Sequence, residues 1–317
     1  MARLSNPSTS DAAQPQIVCR LAAPSEWQRA TAMILGSAGR VGSPSQVVEF
    51  LAYAAQRHIN VAETWVAEID GRITWAALPV LSPGRTALLF TSAELAEPDE
   101  AAGQLIQHLC HYLAQRQVHL AQVLIDPTRS AARQFFADHG FREMAELVYL
   151  QGSAPRSAPP ATLPPMVRWE TYHAATHGLF ARGTLATYQG SLDCPALTGL
   201  RDIEDVILGH KATGEFDPQL WRALCQEDQP LGILLLSRIP AADALELVYL
   251  GLASPARGRG LGDVLMQEAM HLVVAQGRRR LTLAVDAINV PALKLYYRFG
   301  LQRLTSKAAL IRDLRRN

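Results

Sequence analysis

The sequence predicts an α/β fold built from two copies of one unit, and three observations carry that prediction. Apolar runs of strand length alternate with helical apolar spacing along most of the chain. One long pattern near residues 105–140 recurs near residues 265–300 without a gap. Between the copies lies a segment rich in Pro, Ala and Ser.

Taken in order, residues 17–21 read as a strand, and Pro24-Ser25-Glu26 opens a capped helix over 27–35. A second helix is expected over 45–57. Residues 65–69 and 73–80, joined by Asp70-Gly71, give a hairpin signal, with a further strand over 86–90. The helix over 99–115 has Leu105, Ile106, Leu109, Tyr112 and Leu113 on its apolar face. In the second half a strand is expected over 167–170, then a mostly helical region over 171–214, broken at Asp193-Cys194-Pro195. Residues 231–239 and 245–252 should form a hairpin. A helix follows with Leu265, Met266, Ala269, Leu272 and Val273 on one face, closed by Gln276-Gly277. A strand over 281–285, a helix over 291–299 and a strand over 308–314 complete the chain.

The two helix faces match at one constant shift, which also lays residues 123–126 on 283–286 and 135–140 on 295–300. This divides the chain into a loose tail (1–16), a first copy (17–152), a linker (153–165) and a second copy (166–317). The linker should run extended without entering a core.

The chain has 317 residues, 49% hydrophobic and 19% charged, with a formal net charge of +1. Such a balance supplies no field to draw nucleic acid or a membrane surface, so neither partner is expected. Arg278-Arg279-Arg280 is a solvated helix end. Cys19, Cys110, Cys194 and Cys225 are scattered without a Cys-x-x-Cys pair, the first residues lack the apolar core of a signal peptide, and no run is long enough to span a bilayer. Cytoplasm is the expected compartment.

Residues 246–262 organise the second copy. A strand from Leu247 to Leu252, including Leu250, runs through Pro255 into Arg257-Gly258-Arg259-Gly260-Leu261-Gly262, and an amphipathic helix follows. Glycines let amide N–H groups approach an anion closely, and a helix start adds orphan donors and a positive dipole end. A pyrophosphate is the natural occupant. The pattern is neither Gly-x-Gly-x-x-Gly, because Asp263 stands at the third position, nor a P-loop.

It resembles the Arg/Gln-x-x-Gly-x-Gly/Ala signature of the GNAT superfamily of N-acetyltransferases. The run Asn289-Val-Pro-Ala-Leu-Lys-Leu-Tyr296-Tyr-Arg-Phe-Gly300-Leu301 is similar to that superfamily's Asn-x-x-Ala-x-x-Leu-Tyr-x-x-x-Gly-Phe segment. The resemblance implies tandem GNAT-like units, each a mixed, mostly antiparallel sheet flanked by helices. It also implies acetyl-CoA as co-substrate, held by Leu250, Leu252, Arg257, Gly258, Arg259, Gly260, Leu261, Gly262 and Asn289. Tyr296 would protonate the departing thiolate, and Glu246 would be the base that frees the acceptor amine. The implied reaction is acetyl transfer to a primary amine of a small molecule by direct attack. The alternatives are a protein or peptide acceptor, or a non-catalytic acyl-CoA sensor.

The first copy has lost these features. Residues 97–102 read Glu-Pro-Asp-Glu-Ala-Ala opposite the cradle, while Thr86, Arg129 and Phe136 stand opposite Glu246, Asn289 and Tyr296. Like charge and a stiffer backbone argue against coenzyme binding there. Acceptor contacts are expected from residues 188–201 and from the hairpin near Pro240. His173 and His177 have the spacing of a zinc helix but Ala174 replaces its glutamate, His108 and His111 lack a third ligand, and no Gly-x-Ser-x-Gly elbow occurs. No metal is expected.

Overall fold

The two halves pass through the same succession of elements. In this computed structural model, which describes residues 16–36, 40–92, 98–239 and 242–316, the first half runs β1 (Ile17–Leu21), α1 (Trp27–Ile34), α2 (Pro44–Gln56), β2 (Trp65–Ile69), β3 (Arg72–Ser82), β4 (Thr86–Thr91), α3 (Glu100–Gln115), β5 (Leu120–Ile125), α4 (Ser130–Asp138) and β6 (Arg142–Ser153). The second half runs β7 (Val167–Thr171), α5 (His177–Tyr188), α6 (Ile203–Ala212), β8 (Trp221–Gln226), β9 (Gln229–Ile239), β10 (Ala244–Leu252), α7 (Leu261–Ala275), β11 (Arg280–Asp286), α8 (Val290–Arg298) and β12 (Gln302–Asp313). Most of the expected tail, together with Glu97 and Pro240, lies outside the described residues. Strands β6 and β8 are not among the expected elements, although residues 147–150 repeat the Leu-Val-Tyr-Leu run of 247–250. Strand β12 starts at Gln302 rather than 308, because its first residues are mostly polar, Leu304 among them is exposed, and they show no alternation.

By compactness the chain divides into Met1–Leu78 with Phe90–Leu109, and Pro79–Leu89 with Cys110–Asn317. The division does not fall at the linker. In the first unit β1 pairs antiparallel with β2, and β2 with β3. The second unit holds a sheet in the order β4-β5-β12-β6-β11-β10-β9-β8-β7. Within it β4 with β5 and β10 with β11 are parallel, and the other neighbours are antiparallel. The copies exchange strands: β12 lies between β5 and β6, and β6 lies between β12 and β11.

Two apolar layers cover the second half of this sheet. On one face Leu234, Leu236, Leu245, Leu247, Leu281, Leu283 and Val285 pack against Leu265, Met266, Ala269, Leu272 and Val273 of α7, the residues whose spacing predicts that helix. Each buried aliphatic side chain contributes roughly 1.5–3 kcal/mol. On the other face Ile233, Leu235 and Trp221 meet Phe180 of α5 and Ile207 of α6.

The linker departs from expectation. It is extended, but Ala154, Ala158 and Leu163 pack against the α7 core, and the His271 ring nitrogen bonds the Ala158 carbonyl at 2.8 Å. Small side chains let an extended chain lie close to the helix, and α7 supplies the polar partner that a stretch with several prolines needs.

Candidate active site

Strand β10 sets the site. Ala244, Leu245 and Glu246 pair with Arg280, Leu281 and Thr282 of β11, and beyond Glu246 the two strands have no further ladder pairs. Strand β11 instead continues along β6 as far as Asp286. A bulge between Leu247 and Tyr249 turns β10 further, while Leu247–Leu252 remain paired to β9 alone. Backbone groups on the inner edge of β10 are therefore open to an extended ligand. The small gap this leaves, about 30 Å³, is lined by Leu247, Leu250, Leu283, Val285, Asp193 and Tyr296.

At the far end of β10 the chain enters the cradle. Gly258 and Gly260 have φ of +73° and +77°, which glycine adopts without strain, and the space a Cβ would fill is open at both. Gly260 is the N-cap of α7 and no side chain caps the helix, so its first amides are left for a ligand. Gly262 acts differently: a Cβ there would stand 3.2 Å from Leu295, so its absence lets α7 approach α8. The cradle opens into a cleft of about 570 Å³ lined by Leu250, Leu252, Gly258, Gly260, Gly262, Asn289 and Asp193, among others.

Arg257 lines the same cleft, but its guanidinium is committed to backbone carbonyls. Nε donates to Leu252 at 3.0 Å, Nη1 to Gly190 at 2.8 Å, and Nη2 to Thr187 at 2.9 Å and Gln189 at 2.8 Å. It caps the C-terminus of α5 and ties that end to the cradle. Arg259 is exposed, and Leu261 is buried as the first residue of α7. Asn289 caps α8, accepting the Ala292 N–H at 3.3 Å.

Tyr296 is 5% exposed and belongs to the α7–α8 core, whereas its neighbour Tyr297 is 47% exposed. Burial, and then the charge of Asp193, push the Tyr296 phenol well above its ordinary range. Glu246 lies between Leu245 and Leu247, which enter that same core, so strand alternation sends its side chain to the opposite face. Its charge adds to burial in raising the Tyr149 phenol. Glu246 and Tyr296 thus stand on opposite faces at the level where β10 and β11 part.

The sequence puts Asp193 in a helix break, within the span 188–201 expected to meet the acceptor, but does not single it out. Here its carboxylate lines both the cleft and the gap, accepts the Asp286 N–H at 3.0 Å and takes a hydrogen bond from the Asn289 amide. Burial raises its pKa. Nothing local marks it, because its partners lie more than ninety positions away. Of the other expected features, His177 bonds Tyr172 and Glu204 rather than a metal, and no metal-binding group occurs among the described residues. All four cysteines are free thiols, and no described helix is long and apolar enough to cross a membrane.

Residues 191–301 match the family model for the acetyltransferase (GNAT) family. The mycothiol acetyltransferase of Corynebacterium glutamicum (strain R) is 44% identical over 55 residues, 17% of this chain and 19% of that protein. The Beutenbergia cavernae protein of the same name is 33% identical over 103 residues, 32% of this chain and 34% of the relative. The matches thus span about a fifth to a third of these relatives. Among solved structures, a GCN5-related N-acetyltransferase from Sphaerobacter thermophilus aligns over 94% of this chain and 96% of its own, with a TM-score of 0.62 at 17% identity. A tandem GNAT protein from the clavulanic acid biosynthesis pathway aligns over 95% and 99%, with a TM-score of 0.50 at 14% identity. The chain shares its fold with this tandem GNAT protein along nearly its whole length, and the similarity in sequence to the GNAT acetyltransferase family lies in residues 191–301.

Proposed function

We propose that the second half transfers the acetyl group of acetyl-CoA to the primary amine of a small molecule, by direct attack in a ternary complex. One observation carries this reading. The left-handed glycines and uncapped start of α7 open into the same cleft as the unpaired edge of β10, and Asp193 and Asn289 line both that cleft and the gap against Tyr296. A pyrophosphate fits the amides of the cradle, an extended amide-bearing arm fits the strand edge, and the thioester then reaches the gap.

In this reading Tyr296 gives its proton to the departing sulfur. Its raised pKa keeps the phenol protonated at rest, and a thiolate in the same buried, negatively charged gap is disfavoured for the same reasons, so the transfer stays balanced. Glu246 takes a proton from the acceptor on the opposite face. Gly258, Gly260 and the first amides of α7 hold the pyrophosphate, with Arg259 beside them, and Leu250 and the Leu252 N–H offer backbone groups, the Leu252 carbonyl being held by Arg257. Asn289 orients the arm from the α8 side. The matched relatives carry the name mycothiol acetyltransferase, which supports a small acceptor. Free thiols and an unremarkable net charge fit a cytoplasmic enzyme without nucleic-acid or membrane partners.

Incubating the protein with acetyl-CoA and an amine metabolite pool tests the reading. Thiol release with an acetylated product by mass spectrometry is expected. Acetyl-CoA binding without any product would leave only a sensor.

A further inference from the structure

The cleft holds one carboxylate without a counter-ion. Asp193 makes no ion pair among the described residues, although it is largely buried and its hydrogen bonds to Asp286 N–H and Asn289 leave acceptor capacity unused. The cations nearby are committed elsewhere. Arg257 bonds four carbonyls, Arg298 pairs with Asp263 at 2.6 Å, and Arg201 bonds the Asp205 carbonyl at 2.8 Å. A buried, uncompensated charge is costly, and an arriving cation would relieve that cost.

A second acceptor group lies in the same walls. The Thr187 hydroxyl donates to the Thr184 carbonyl at 2.7 Å, which uses its only proton. In the 2.6 Å bond between Thr187 and Tyr249 the phenol must therefore be the donor. The Tyr249 oxygen keeps its lone pairs, and Tyr249 lines both the cleft and the gap. A carboxylate and a phenol oxygen that can only accept form a set suited to an ammonium group, which only donates.

We propose that the acceptor docks as a primary alkylammonium ion on Asp193, beside the Tyr249 oxygen. This rests on the acetyl-transfer reading. The ammonium loses one proton toward Glu246, and the freed lone pair forms the C–N bond to the thioester carbonyl carbon. The C–S bond breaks with its electron pair on sulfur, Tyr296 protonates the sulfur, and the nitrogen's surplus proton restores the phenol. Ammonium and thioester become amide, thiol and one proton released to solvent.

Two thioethers of coenzyme A test the assignment by binding alone: S-(3-aminopropyl)-coenzyme A, which carries an ammonium, and its uncharged counterpart S-butyl-coenzyme A. Calorimetry on the full chain should show the ammonium form binding about tenfold more tightly or better, as a charge-assisted contact provides. Asp193→Asn should erase that preference, so that the two thioethers bind alike. Equal affinities in the wild type, or a preference that survives Asp193→Asn, overturn the assignment. If those results appear while the amine pool is still acetylated, only the role of Asp193 falls. If neither thioether binds, the coenzyme reading falls first.

Discussion

The Tyr296 hydroxyl sits in a packed aromatic position, so its chemistry can be separated from its packing. Tyr296→Phe keeps the ring and should leave acetyl-CoA affinity nearly unchanged, while turnover falls by about 10²- to 10⁴-fold, the range positioned acid–base groups supply. Phe136, fully buried at the matching place in the first copy, indicates that the fold accepts that ring. Tyr297→Phe, being at an exposed site, should change neither quantity, and steady-state kinetics of both variants decides. His210 offers a different readout. It stacks on Tyr249 at 5.5 Å, and burial, then Arg201, lower its pKa to about 4. Between about pH 6.5 and 4 the unfolded chain binds a proton at this site that the folded chain refuses, so stability falls with pH across that window, by roughly 3 kcal/mol at most. His210→Phe should flatten the fall of Tm over that range, and an unchanged slope would assign the acid sensitivity elsewhere. Tyr296 is legible in the sequence because its spacing to Asn289 and Gly300 is local. Asp193 is not, because only closure of the fold brings it to Asp286 and Asn289.

Among the elements, the cradle and the end of α5 form one mechanical piece. The sequence suggests that Arg257 meets phosphate, yet its guanidinium bonds to four carbonyls, three of them at the end of α5. Arg257→Gln should therefore destabilise the free protein by about 1–3 kcal/mol, since several carbonyls lose a charged donor. Amide exchange over residues 189–194 should rise. An affinity loss for acetyl-CoA with no change in the free protein would instead make Arg257 a phosphate ligand. Gly260→Ala meets no neighbour but must hold φ near +77°, which costs about 1–2 kcal/mol. Calorimetry should show a weaker single site rather than one of two. The glycine spacing announces this loop well. The parting of β10 and β11 is silent in the sequence, because it depends on β11 continuing along β6, a partner from the other copy.

At the level of the whole molecule, the duplication is plain in the sequence but the exchange of strands is not, since each copy alone contains enough strands to suggest a closed unit. Residues 166–317 lack β6, the strand that pairs along all of β11 and most of β12. That fragment should be insoluble or partly unfolded by circular dichroism, and co-expressing residues 1–165 should recover it. A soluble, fully active fragment would show that the borrowed strand is dispensable. The exchange also fixes a timetable for synthesis. Strand β5 leaves the ribosome early and β6 soon after, yet the strand that belongs between them is the last made, ending at Asp313. Until then both keep unpaired edges, an exposure that slow long-range pairing prolongs. Nascent chains arrested before residue 302 should be cut by protease between 120 and 153, whereas released chains resist; a period of dependence on cellular chaperones follows from the position of that one strand.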